Sequence, residues 1–229
     1  MAAALAEAGA RVALVGRDVE QLNATHATIQ AAGGVSGVFP SDISDESNVI
    51  ALERAVSAEF GRVDILINNA GINIRRPLLE FTLDEWNQVM TVNSTAAFLM
   101  CRAFVPHMKG RGYGRVINVA STMSHVSRAQ RSAYSASKAA LLGMTRALAL
   151  ELAPEQITVV AISPGPFATE INSVLLADPA QTQFFLGKVA LGRWGRVEEI
   201  GGLAVFLCTD AASYITGTDI LIDGGWCAQ

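Results

Sequence analysis

The run TMSHVSRAQRSAYSASKAAL, Thr122 to Leu141, sets a phenol, Tyr134, four residues ahead of an ammonium, Lys138. On a helix that spacing puts both side chains on one face. A cation beside a phenol favours phenolate and lowers its pKa toward working pH, as a general acid or base requires. Taken alone, Tyr134 and Lys138 read more readily as a surface pair on an ordinary helix, and the context changes that. Thirteen residues before Tyr134 stands Ser121, directly after the apolar run VINV. If that run is a buried strand, Ser121 lies at its C-terminal end, where open α/β sheets bind ligands, and its hydroxyl can hold a substrate oxygen.

The elements that would position these groups are legible. Short β-branched runs, at 12 to 15, 35 to 39, 65 to 67, 116 to 119, 157 to 162 and 219 to 222, alternate with segments whose apolar residues recur at three- and four-residue spacing. Helices are predicted over Ser44 to Phe60, Thr82 to Met108, Ser132 to Leu152 and Val197 to Cys208. Ser44 with Ser47 and Asp45/Glu46 suits a helix start, and Thr82 followed by Glu85 makes a capping box. The pattern is that of βαβ units, hence an α/β Rossmann-type, doubly wound parallel sheet in a single domain spanning 1 to 229. The segment 163 to 196 follows a strand end and is predicted to form a substrate-binding loop region.

Composition narrows the function. The chain has 229 residues, 51% of them hydrophobic, with a net charge of −4, which is enough for a large core and a poor match to nucleic-acid phosphates. The apolar start lacks a basic leader and is broken by Glu7. No other window offers an uninterrupted apolar run of bilayer length, so no membrane is expected. Three widely spaced cysteines, Cys101, Cys208 and Cys227, fit buried thiols in a reducing, cytoplasmic setting, and no metal-ligand set is expected.

Five spaced motifs resemble the short-chain dehydrogenase/reductase family: NNAG at Asn68 to Gly71, the asparagine of VNS at Asn93, Ser121 in INVAS, YSASK at Tyr134 to Lys138, and PGPFAT at Pro164 to Thr169. The resemblance implies hydride transfer between a nicotinamide and a hydroxyl or keto group. Tyr134 would exchange the proton and Ser121 would orient the substrate oxygen. Lys138 would tune Tyr134 and hold the nicotinamide ribose, and Asn93 would fix a water in a relay to Lys138. For the cofactor it implies Asp42 at the adenine amino group with Ile43 against the ring. Asn69, Ala70 and Gly71 would lie along a ribose, with Phe167 and Thr169 at the carboxamide. Asp42 reads nearly as well as a turn residue ahead of the next helix.

The strand around Val12 ends in Gly16 and Arg17 rather than an acid, which favours the 2′-phosphate of NADP, with NAD the alternative. Arg75 and Arg76, just past the NNAG strand end, are candidates for a substrate carboxylate, with solvated loop arginines the other reading. Arg128 is a second candidate, and His125 could also touch substrate. INIRRPLLEF, VPHM and the ALGRWGRVEEIGGLAVFL segment look most like the gluconate 5-dehydrogenase branch and its keto-deoxy-sugar-acid relatives. That resemblance implies a sugar acid as substrate and, from the family's habit, a homotetramer. A ketone reductase acting on 3-oxoacyl groups and a non-catalytic binding subunit are the competing readings. The family pattern begins with a glycine-rich turn between a first strand and helix, and here the sequence starts after it. A first strand lying between those at Val12 and Ile65 is therefore expected to be missing, as in a fragment.

Overall fold

The structure, a computed structural model, describes residues 1–168 and 177–228. Among the described residues six strands form: β1 Arg11–Gly16, β2 Val35–Pro40, β3 Ile65–Asn68, β4 Gly114–Val119, β5 Ile157–Pro164 and β6 Asp219–Ile222. Every strand pairing is parallel. The helices are α1 Ala2–Glu7, α2 Val19–Ala31, α3 Glu46–Phe60, α4 Leu83–Met90, α5 Ala96–Phe104, α6 Ser132–Leu152, α7 Pro179–Leu186 and α8 Val197–Cys208.

Strand alternation explains the two layers around the sheet. From β5, Ile157 and Val159 enter a core with α3 and α5, whereas Val160 and Ile162 face α8. On β1, Ala13 and Val15 join the first core while Leu14 packs with Ala6 of α1 and Ile29 of α2. β1 pairs only with β2, and β3, β4, β5 and β6 follow one another in a second sheet. The expected break between the Val12 and Ile65 strands is thus present. Ala13 and Val15 still share one apolar core with Leu66 and Val116, which keeps both sheets in a single body.

Two sequence expectations are corrected. Helix α3 starts at Glu46, two residues later than expected, because Asp45 is the cap: its Oδ1 accepts from the backbone of Ser47 and Asn48. The segment from Thr82 to Met108 is not one α-helix. The Thr82–Glu85 capping box is present, but a π-helical turn at Thr91–Thr95 separates α4 from α5. That inserted turn swings Asn93 inward, and π turns are frequent where a helix must present a functional side chain. By length and composition the stretch Leu83–His107 could cross a membrane, although Asp84, Glu85 and Arg102 interrupt it. Leu99, Met100 and Phe104 lie instead in the main core, as a central helix of an α/β domain requires.

Candidate active site

Strand ends β3, β4 and β5 open onto a cleft of roughly 350 Å3 whose lining includes Asn69, Gly71, Ser121, Tyr134 and Lys138. Ser121 ends β4's exit in extended backbone, φ −170°, and its Oγ accepts from Met123 N at 3.1 Å. Tyr134 and Lys138 both project from the first turns of α6. Lys138 is buried and donates to Val119 O, at the last residue of β4, at 2.7 Å. The helix is thereby fastened to the strand that delivers Ser121.

The electrostatics differ from the expectation. Burial raises the Tyr134 pKa above its usual 10, opposed first by a hydrogen bond from Ser121 and then by the charges of Arg131 and Arg75. Lys138 is not the cation that lowers it. Its Nζ sits 6.0 Å from the Tyr134 ring centroid, and its own pKa is pushed down to about 8 by burial. The charges that oppose the rise are the guanidiniums of Arg131 and Arg75.

Asn93 is a rivet. Its Oδ1 accepts from Ile72 N at 2.7 Å, while Nδ2 donates to Ile72 O at 2.9 Å and to Ser137 Oγ at 2.9 Å. It binds the loop after β3 to α6 and so fixes Gly71 against Lys138. A Cβ at Gly71 would lie 3.2 Å from Lys138 Nζ and 3.4 Å from Asn93 Oδ1, so a side chain would crowd both groups and glycine keeps this surface open to a bound group. Asn69 and Ala70 are exposed beside it, as a cofactor surface requires.

At the other end of the strand row, Arg17 is 66% exposed, with its guanidinium 4.0 Å from Asp42. Asp42 accepts from Ser44 N at 3.0 Å and Ser44 Oγ at 2.6 Å, which lowers its pKa and makes it a turn former. Ile43 packs against the main core. Phe167 is buried, bridges to Gly195 and lines the cleft. Thr169 lies outside the described residues.

The arginine candidates separate. Arg76 Nε binds Glu85 Oε1 at 2.6 Å, which ties it to the α4 capping box, and neither Arg75 nor Arg76 is among the residues lining the cleft. Arg75 is close enough for its charge to act on Arg128, Arg131 and Tyr134. Arg128 lines the cleft, with its guanidinium 4.8 Å from the Phe184 ring centroid and 4.6 Å from that of Phe185. His125 is instead paired with Asp219, which also accepts from Ser163 Oγ at 2.8 Å.

Sequence reasoning missed Arg131, Phe185, Trp194 and Trp226, all lining the cleft. Arg131 carried a signal, since it stands three residues before Tyr134 and three after Arg128. The aromatic group had none: Phe185 stacks on Trp226 at 5.3 Å and Trp194 at 6.1 Å, joining α7 to the chain's far end. Among the described residues no carboxylate lines this cleft, whereas Arg128, Arg131 and Lys138 do.

Comparison with known proteins fits this geometry. Residues 1–227 match the family model described as enoyl-(acyl carrier protein) reductase. The 2-dehydro-3-deoxy-D-gluconate 5-dehydrogenase of Dickeya dadantii (strain 3937) is 39% identical over 230 residues, covering 100% of this chain and 90% of the relative. The gluconate 5-dehydrogenase of Gluconobacter oxydans (strain 621H) is 36% identical over 225 residues, 98% of this chain and 88% of the relative. The crystal structure of a gluconate 5-dehydrogenase from Burkholderia cenocepacia J2315, in complex with NADP and tartrate, superposes with a TM-score of 0.94 at 33% identity, covering 100% of this chain and 89% of that one.

Proposed function

As the chain belongs to the short-chain dehydrogenase/reductase superfamily, we propose that it is an oxidoreductase moving a hydride between NADP(H) and a hydroxyl or keto group of a sugar acid such as gluconate or 5-ketogluconate. The observation that carries the substrate class is the charge of the cleft: Arg128, Arg131 and Lys138 line it and, among the described residues, no carboxylate does. A carboxylate ligand relieves that unbalanced charge through charge-assisted hydrogen bonds. Trp194 Nε1, a donor, and Asn73 Oδ1, an acceptor, belong to lining residues and are buried without a protein partner, which suits a polyhydroxylated molecule.

The nicotinamide, when bound, supplies or accepts the hydride. Gly71 leaves room beside Lys138 and Asn93 for the ribose, and Lys138 Nζ, already directed by Val119 O, would hold it. Arg17 would meet the 2′-phosphate, which favours NADP over NAD. Asn69 and Ala70 supply open surface nearby, and Phe167 with Thr169 would serve the carboxamide end.

In the reducing direction Tyr134 donates its hydroxyl proton to the substrate oxygen. Its raised pKa keeps that proton in place at neutral pH. Ser121 donates a hydrogen bond that steadies the negative charge developing on the tyrosine or substrate oxygen. Lys138, with a pKa of about 8 against a phenol held above its usual 10, gives a proton to the tyrosinate downhill, which restores the acid after each transfer. Asn93 holds the loop and α6 in the register this requires.

The test is NADPH-dependent reduction of 5-ketogluconate against an uncharged ketose of equal size. A clear preference for the acid is expected, and equal rates would remove the sugar-acid reading. Leu83, Phe98 and Leu150 are exposed apolar residues on α4, α5 and α6, 72%, 49% and 82% accessible, which supports pairing of these helices across subunits in a homotetramer. Sedimentation at equilibrium checks the number. The three free cysteines support a reducing, cytoplasmic setting, which cell fractionation checks.

A further inference from the structure

We propose that Arg131, acting with Arg128, is the seat of the substrate carboxylate and the residue that separates acids from neutral sugars in this cleft. This rests on the sugar-acid reading above and names where the acid is recognised. Three observations converge. Arg131 is the residue just before α6, yet its side chain makes no capping hydrogen bond. Among the described residues neither Arg131 nor Arg128 meets a carboxylate within 4.0 Å, although both line the cleft beside Tyr134.

The backbone between them is held in an unfavourable form for this purpose. Gln130 has φ 64°, in the left-handed region that non-glycine side chains seldom occupy. That residue turns the chain between Arg128 and Arg131, so two guanidiniums from one loop reach the same cleft. Arg128 is steadied from behind by Phe184 and Phe185. Among the described residues no ring or carboxylate contacts the Arg131 guanidinium, so it is the one positioned to close on a ligand.

The charges on Arg75 and Arg128, after burial, push the Arg131 pKa down to about 10. A bound carboxylate would reverse that strain. It would also offset the field that Arg131 exerts on Tyr134, linking recognition of the acid to the proton-exchanging group.

Trp194 and Trp226 line the cleft, so intrinsic tryptophan fluorescence follows binding without turnover. The full chain, Arg131→Ala and Arg131→Lys are each titrated with gluconate and with its uncharged counterpart glucitol. The expected result is that Arg131→Ala lowers the gluconate-over-glucitol preference by roughly 30- to 100-fold, as loss of a charge-assisted pair does. Arg131→Lys, which keeps charge and loses the bidentate fork, is expected to fall between. A wild-type protein that does not prefer gluconate sinks the sugar-acid reading and this proposal with it. A wild-type preference that survives in Arg131→Ala overturns the role of Arg131 alone.

Discussion

The cleft has a floor and a wall built on opposite principles. On the floor, Asn93, Ser121 and Lys138 are buried and tied to backbone or to a neighbouring side chain, with Lys138 on Val119 O, Ser121 on Met123 N and Asn93 on Ile72 and Ser137. On the wall, Arg128 and Arg131 are only partly buried, lean on aromatic rings or on nothing, and repel each other. Fixed geometry serves a proton transfer that is the same for every substrate. Uncompensated charge serves selection among substrates, because it is satisfied only when the right anion arrives. The lesson is that damage to the floor should affect all substrates alike, while damage to the wall should change their ranking.

The largest break expected is Tyr134→Phe. It removes the proton and leaves the ring, and kcat/KM should fall on the order of 1,000-fold for acids and neutral ketones together. A loss confined to acids would place Tyr134 on the wall.

Next is Lys138→Met, read by stability rather than rate. Its folded pKa of about 8 against an ordinary 10.5 means the unfolded chain binds more protons between those values. The wild-type protein therefore gains stability from this group as pH rises through that window, on the order of 3 kcal/mol at most. The stability difference between Lys138→Met and wild type, followed by urea unfolding, should change across about pH 8 to 10.5. A difference independent of pH would show that Lys138 is not held against its charge.

Oxidation, which needs Tyr134 as a base, should accelerate toward alkaline pH, since burial holds the phenol above 10. Arg131→Ala withdraws one of the charges opposing that rise, so the alkaline limb of the profile should move to still higher pH. A shift downward would contradict the sign of the coupling.

Two smaller effects sharpen the outline of each region. Arg17→Ala should narrow the NADPH-over-NADH preference by about tenfold, one charge-assisted contact's worth. Arg76→Ala should leave acid selectivity untouched and change stability little, because it and Glu85 form a surface pair at a helix start.

The two regions were also unequally legible in the sequence. The floor is written in fixed spacings, Ser121 to Tyr134 to Lys138, because one strand end and one helix carry all three groups. Strand alternation likewise exposed all six strands, since buried parallel strands need contiguous β-branched runs. The π turn that aims Asn93 has no local signature, so a continuous helix was the natural expectation. The wall was read only in part. Arg75 and Arg76 are adjacent in sequence, yet helix capping claims the second, a competition decided by Glu85 nine residues on. The stack of Phe185 on Trp194 and Trp226 unites residues from α7, the following loop and the end of the chain, which no spacing predicts. Tyr134 shows the same limit in energetics: proximity in sequence named Lys138 as the tuning cation, whereas burial and distance give that part to Arg131 and Arg75.

The division between floor and wall is tested most directly by kcat/KM with NADPH for 5-ketogluconate and for an uncharged ketose, measured in wild type, Tyr134→Phe and Arg131→Ala. The expected pattern is a parallel loss for both substrates in Tyr134→Phe and, in Arg131→Ala, a collapse of the ratio between them by roughly 30-fold or more. A ratio that is the same in Arg131→Ala as in wild type would contradict it.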